Sequence, residues 1–253
     1  MKKIAIANQK GGVAKTTTTH ALAAGLSEKG FKVLMVDLDP QSNLSSACGA
    51  ECFNVATIYE LLKGNASPEE TIQHIGNYDI IPSNIMLAGA EQELTQTGKE
   101  HRLKESLVSI TENYDYILVD TPPSLGVLTV NAFTFASDIL IPTTAGIFAT
   151  AGIKQLSDTV NNVQKYCNSD VKIMGILFTR YNPRANISRE IRELAEQMGQ
   201  YISAPIYKTY IRSAIAVEEA QAQKEDIFAY ASKSTVAEDY KAFIEEMLKG
   251  GNK

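Results

Sequence analysis

Ile4-Ala5-Ile6-Ala7 runs directly into Asn8-Gln9-Lys10-Gly11-Gly12-Val13-Ala14-Lys15-Thr16-Thr17, and a helix-like stretch from Thr17 to Lys29 follows, stopped by Gly30. An apolar run, a glycine-rich turn and a helix start form the setting of a phosphate-binding loop. Backbone N–H groups at a helix N-terminus cradle phosphate oxygens, and a lysine neutralises the β- and γ-phosphate charge. A hydroxyl just after that lysine can ligate Mg²⁺. Lys15 and Thr16 match these roles, while Gly11 and Gly12 permit close approach of backbone or of a neighbouring surface. The standard pattern G-x-x-x-x-G-K-[ST] is broken at both glycines, by Gln9 and Ala14, and an additional lysine, Lys10, opens the loop. Alanine at position 14 costs little at negative φ and about 1–2 kcal/mol in the left-handed region.

Outward from this loop, short apolar runs alternate with longer helical stretches. Ile4–Ala7, Val33–Val36, Asp79–Ile81, Tyr116–Val119, Ile139–Ile141 and Ile173–Phe178 are rich in Ile and Val and lack polar alternation. Strands buried on both faces read this way, and they belong to parallel sheets covered by helices. The expected fold is therefore α/β, a doubly wound and mostly parallel sheet flanked by helices. Lys99–Glu112 reads as a further helix, and Gly30 as a left-handed cap. No repeat, low-complexity tract or linker divides the chain, so residues 1–253 read as one domain. Residues 121–137 and 139–153 are uncharged, but three prolines and Asn131 interrupt them, and a buried helix followed by a buried strand is expected rather than a membrane span. The helix expected over Thr235–Leu248 carries Val236, Tyr240, Phe243, Ile244, Met247 and Leu248 on one side, with Glu238, Asp239, Glu245 and Glu246 elsewhere. That acidic face suits docking on the protein's own core and not a membrane surface.

Composition narrows the function. The chain has 253 residues, 24 Lys+Arg against 29 Asp+Glu, and a net charge of −5, which argues against a generally polybasic nucleic-acid binder. Three cysteines without a Cys-x-x-C pair make no secreted disulfide framework, and the apolar N-terminal run is too short for a signal peptide. A cytoplasmic protein is expected. The total hides an asymmetry. Residues 171–212 hold seven cations (Lys172, Arg180, Arg184, Arg189, Arg192, Lys208, Arg212) against three carboxylates, a net of +4 that leaves −9 on the other 211 residues. Arg184, Arg189 and Arg212 are candidates for contact with phosphate backbone; Arg192, four residues before Glu196, reads as a solvated pair.

The string Lys10-Gly11-Gly12-Val13-Ala14-Lys15-Thr16-Thr17 resembles the deviant Walker A box KGGxGKT[ST] of the ParA/MinD family of P-loop ATPases, departing only at Ala14. Val36-Asp37-Leu38-Asp39-Pro40-Gln41 and Ile117-Leu118-Val119-Asp120-Thr121-Pro122-Pro123-Ser124 stand where that resemblance requires carboxylates at strand ends, and Ile80–Glu93, Pro122–Asn131 and Lys172–Thr179 resemble the Soj-type members. The resemblance implies ATP and Mg²⁺ as cofactors. ATP is bound by the loop from Lys10 to Thr17, and the metal is held by Thr16 and, through water, by Asp120. It also implies that Asp39, with Asp37 a weaker candidate, orients the attacking water, and that Lys10 reaches the partner subunit's ATP across an ATP-dependent homodimer.

Family outputs differ. A basic membrane-targeting tail, cysteines placed for an iron–sulfur cluster and a terminal tyrosine cluster are not found here, nor is an N-terminal helix-turn-helix domain expected ahead of the loop. A Soj-like role remains: slow, partner-stimulated hydrolysis, non-specific DNA binding on the nucleoid, and segregation of plasmid or chromosomal DNA with a ParB-like centromere-binding protein. The alternative is positioning of a protein cargo, such as a microcompartment or chemoreceptor cluster. One departure bears on DNA. The family segment IPRNxRLxEA reads here Ile211-Arg212-Ser213-Ala214-Ile215-Ala216-Val217-Glu218-Glu219-Ala220, with alanine at the expected basic position 216 and Arg212 displaced.

Overall fold

The computed structural model describes residues 1–145, 149–184, 193, 196, 199, 200 and 202–250. Its strands are β1 (Lys2–Ile6), β2 (Val33–Asp37), β3 (Gln73–Ile75), β4 (Tyr78–Ile81), β5 (Tyr116–Asp120), β6 (Asp138–Thr143), β7 (Lys172–Phe178) and β8 (Ile206–Tyr210). Its helices are α1 (Lys15–Glu28), α2 (Asn43–Cys48), α3 (Ile58–Lys63), α4 (Pro68–Thr71), α5 (Leu87–Glu93), α6 (Arg102–Leu107), α7 (Val127–Phe135), α8 (Ala149–Tyr166), α9 (Ala216–Gln223), α10 (Ile227–Ala231) and α11 (Thr235–Gly250). Hydrogen bonding joins the strands into one sheet in the order β3-β4-β2-β5-β1-β6-β7-β8. All neighbouring pairs are parallel except β3–β4.

The expected α/β doubly wound architecture is what the chain adopts. Every residue of β2, β5 and β6 is buried, and alternate side chains serve opposite faces, as the two-residue period of a strand requires. Leu34, Val36, Ile117 and Val119 join one core with α3, α6, α7 and α8. Val33, Met35, Tyr116 and Leu118 join another with α1, α10 and α11. The uncharged region does form a buried helix, α7, and a buried strand, β6. Gly30 has φ +87° and donates its N–H to Ser27 O, ending α1 as expected.

Three features depart from expectation. Lys99–Glu112 is not one helix: a 3-10 turn at Lys99–His101 leads into α6, and a second 3-10 turn covers Thr111–Asn113. The ladder tightens there, with Ile110 N–H bonded to Leu107 O and the Thr111 hydroxyl donating to the Val108 carbonyl at 2.8 Å. A side chain that competes for a backbone carbonyl in this way unsettles regular helix. β3 and β8 were not expected as strands, and both lie at the sheet's edges, where polar, half-exposed residues leave little apolar signal.

α11 docks as expected, burying Val236, Tyr240, Phe243, Ile244 and Met247. Its acidic side chains also have partners. Glu246 accepts the Lys208 and Thr209 amides of edge strand β8 at 2.7 and 2.9 Å, and Glu245 pairs with Lys29.

Candidate nucleotide-binding site

The sheet's topology decides where the chemistry collects. After β1 the chain goes to one side (β2, β4), and after β5 it crosses to the other (β6, β7, β8), so β1 stands at the switch point where open α/β sheets bind ligands. Across β1–β5 and β2–β5, Asp120 is in register with both Ile6 and Asp37. The loop after β1 therefore departs beside Asp120 at the end of the adjoining strand, with Asp37 ending the strand beyond it.

That loop is held by its neighbours. The Asn8 side-chain amide donates to Pro142 O at 2.8 Å, and its Oδ1 accepts the Lys10 amide at 2.9 Å. The Thr179 hydroxyl donates to Val13 O at 3.0 Å. Val13 is buried, whereas Gly11 and Gly12 are open to solvent. The first intrahelical bond of α1 runs from Thr18 N–H to Ala14 O, which leaves the amides of Lys15, Thr16 and Thr17 outside the helix ladder. Ala14 has φ 62° and ψ 33°, so the alanine stands in the left-handed conformation for which glycine is the ordinary residue.

Lys15 is buried among carboxylates: burial lowers its ammonium pKa, and Asp120 and Asp39 raise it again. The Thr16 hydroxyl donates to Asp120 Oδ2 at 2.7 Å, while Asp120 Oδ1 is buried without a hydrogen-bond partner. Burial, and next the Asp37 charge, push the Asp120 carboxyl up to about 8. An orphaned carboxylate oxygen beside a hydroxyl suits a hard cation that keeps most of its water shell, which is the habit of Mg²⁺. Thr16 and Asp120 are the residues that would hold it.

Asp37 and Asp39 separate cleanly. Asp37 is fully buried, accepting the Asp39 amide at 3.0 Å and the Ser45 amide and hydroxyl at 2.9 and 2.7 Å. Its oxygens organise the loop after β2, and burial raises its pKa to about 6. Asp37 is thereby committed to its own loop. Among the described residues, the Asp39 carboxylate accepts only the Gln41 amide, on Oδ1 at 3.0 Å, and it lines an open cleft of about 570 Å³ together with Gly11, Lys15 and Thr16. Lys10 is exposed, and its ammonium lies 3.4 Å from the Thr144 hydroxyl.

A second cleft of about 360 Å³ adjoins the loop on the side of α9, lined by Thr179, Arg180, residues 211–215, Val217 and Gln221. Sequence reasoning did not assign this wall. Arg180 ends the β7 segment on the sheet edge that carries the loop, which was a usable signal; Gln221 lies on α9 and carries no motif. Of the basic candidates, Arg184 is exposed, and Arg189 lies outside the described residues. Arg212 is committed internally, with Nε and Nη2 on Asp239 at 2.9 and 2.7 Å and its amide on the same carboxylate at 2.9 Å. A fork–fork pair of this kind fixes the guanidinium plane against α11, so an internal ion pair takes the place of the free phosphate contact expected of Arg212.

Two outcomes follow from this geometry. Ala14→Gly should raise the urea midpoint of the nucleotide-free protein, because release of about 1–2 kcal/mol of left-handed strain exceeds the roughly 0.5–1 kcal/mol of added chain entropy. The folded state holds a proton on Asp120 at pH values where the unfolded chain has lost it, so this group's contribution falls as pH rises from about 4 towards 8. Asp120→Asn, which removes the charge, should therefore unfold at a higher urea concentration than wild type near pH 8, with the gap closing near pH 5.

Comparison with known proteins agrees with this geometry. The family described as "AAA domain" matches residues 1–173. The chain is 41% identical to the sporulation initiation inhibitor protein Soj of Bacillus subtilis, covering 99% of each chain. It is 36% identical to the chromosome partitioning protein ParA of Myxococcus xanthus, over 97% of this chain and 87% of that one. Among solved structures, cobyrinic acid a,c-diamide synthase from Mycobacterium smegmatis with bound ADP and magnesium is 33% identical. It superposes with a TM-score of 0.82, covering 100% of this chain and 96% of that one. Sequence, fold and the phosphate loop at the switch point place the chain in the Soj/ParA family of P-loop ATPases.

Proposed function

We propose that this protein is an ATP-driven partition switch. It binds ATP with Mg²⁺, dimerises, engages DNA non-specifically, and segregates plasmid or chromosomal DNA with a ParB-like partner that stimulates slow hydrolysis. The observation that carries the proposal is the contrast between the loop's two lysines. Lys15 is buried beside Asp120 and serves the nucleotide of its own subunit. Lys10 extends into solvent at the rim of the same loop, where a second subunit could present its nucleotide. A cation supplied from outside to the γ-phosphate acts as an arginine finger does.

Within one subunit, the free amides at the start of α1 and the Lys15 ammonium hold the phosphate chain, and Thr16 with Asp120 positions the metal. When bound, Mg²⁺ supplies positive charge to the β- and γ-phosphate oxygens. Asp39, whose second oxygen has no hydrogen-bond partner among the described residues, orients the attacking water. A short side chain acting on water suits slow turnover and a long-lived ATP state.

Residues 171–212 support the DNA role through Lys172, Arg180, Arg184 and Lys208, all exposed, while Arg212 supports β8 and α11. Dimerisation doubles this face, so DNA affinity should depend on ATP and fall steeply with salt. No helix among the described residues is long and apolar enough to cross a membrane.

Two measurements test the proposal. In light scattering with ATP and Mg²⁺, wild type should double its mass and Lys10→Ala should stay monomeric; a variant that dimerises and hydrolyses ATP like wild type would falsify the two-lysine sandwich. In a gel shift, ATP-loaded protein should retard DNA of arbitrary sequence at about 50 mM salt and release it near 200 mM. No ATP-dependent shift at the lower salt would remove the DNA-carrier role.

A further inference from the structure

The two clefts beside the phosphate loop share four lining residues: Gly12, Ala14, Thr17 and Gln221. Three belong to the loop and the first turn of α1. The fourth comes from α9, and its side-chain amide lies 3.3 Å from the Thr17 hydroxyl, 204 positions away in the chain. A ligand whose phosphates occupy the loop and whose remainder enters the 360 Å³ cleft would run along the Thr17–Gln221 contact. The other cationic or amide groups on that cleft wall are engaged: Arg212 with Asp239, and the Arg180 guanidinium with Gly12 O at 3.4 Å.

We infer that Gln221 binds the nucleotide where its sugar joins the phosphate chain, exchanging the Thr17 hydroxyl for a ribose oxygen, and thereby makes affinity depend on an attached nucleoside. An amide suits this point because it both donates and accepts, whereas a carboxylate there would face the α-phosphate charge. α9 is also well placed to report occupancy. Its terminal Lys224 lies against Gly49, which caps α2, and Ala222 lines the phosphate cleft with Asn43, Ser46 and Ala47 of α2. The inference rests on the ATPase reading above and adds a specificity-determining residue to it.

Calorimetric titration of the full chain with Mg²⁺ plus ATP, ADP or inorganic tripolyphosphate separates the possibilities. Gln221→Ala should weaken ATP and ADP about tenfold, the loss of one hydrogen bond to the ligand, and leave tripolyphosphate within about twofold. Gln221→Glu should weaken both nucleotides by at least as much. ATP affinity within twofold of wild type in Gln221→Ala would overturn the inference. So would a parallel loss for ATP and tripolyphosphate, since Gln221 would then only brace Thr17. Wild-type protein that binds none of the three ligands would instead overturn the ATPase reading, and this inference with it.

Discussion

Two buried carboxylates in register at the ends of β2 and β5 set the terms for the rest of this site. Asp37 and Asp120 are held side by side by the ladder that builds the sheet, so neither can move away without breaking strand pairing. The fold relieves this crowding unequally. Asp37 receives three hydrogen bonds and becomes the organiser of the Asp39 loop. Asp120 keeps one oxygen bare and stands within a hydroxyl's reach of Thr16. A like-charge pair in low dielectric favours whatever brings positive charge, whether a proton, the Lys15 ammonium or a metal. The site is thus primed for a cation by the same backbone pairing that makes it stable.

Backbone strain collects around the same edge. Among the described residues, six non-glycine residues have positive φ; Asn54 and Ser203 lie elsewhere, and the other four are Ala14, Ser42, Arg180 and Lys224. Ala14 and Arg180 line the clefts, Ser42 joins the Asp39 loop to α2, and Lys224 ends α9. Left-handed residues are held only where neighbours over-determine them, and such positions gather at switch regions. Here they lie on the phosphate loop and on the segments that line the two clefts beside it. Ala14 stands out because the rest of its box resembles one that carries glycine.

The charge asymmetry has a structural counterpart. The acidic face of α11 meets the basic window directly: Asp239 takes Arg212, and Glu246 satisfies two amides of β8. An edge strand with unpaired N–H groups invites association with another chain, and a carboxylate across those amides closes that route. Part of the positive charge counted between residues 171 and 212 is therefore neutralised within the fold. Among the described residues, Lys172, Arg180, Arg184 and Lys208 remain exposed.

Much of the architecture was legible in residue order. Apolar runs without alternation identified six buried strands, because strands covered on both faces need apolar side chains at every position. The box from Lys10 to Thr17 announced itself because phosphate binding by backbone demands glycine, lysine and hydroxyl at fixed spacing. The edge strands β3 and β8 were not legible, since half-exposed residues carry no such demand, and the stretch at Lys99–Glu112 hid a local contest between Thr111 and the helix ladder. The sequence by itself determined the sheet, the phosphate loop and the carboxylates at the strand ends, all set by local pattern and burial. Tertiary structure alone decided that Ala14 is left-handed, that Asp37 is spent on Ser45, that Arg212 belongs to Asp239 and that Gln221 faces Thr17. Each of those depends on groups brought together from distant parts of the chain or on a backbone angle imposed by its surroundings, and no spacing in the sequence encodes them.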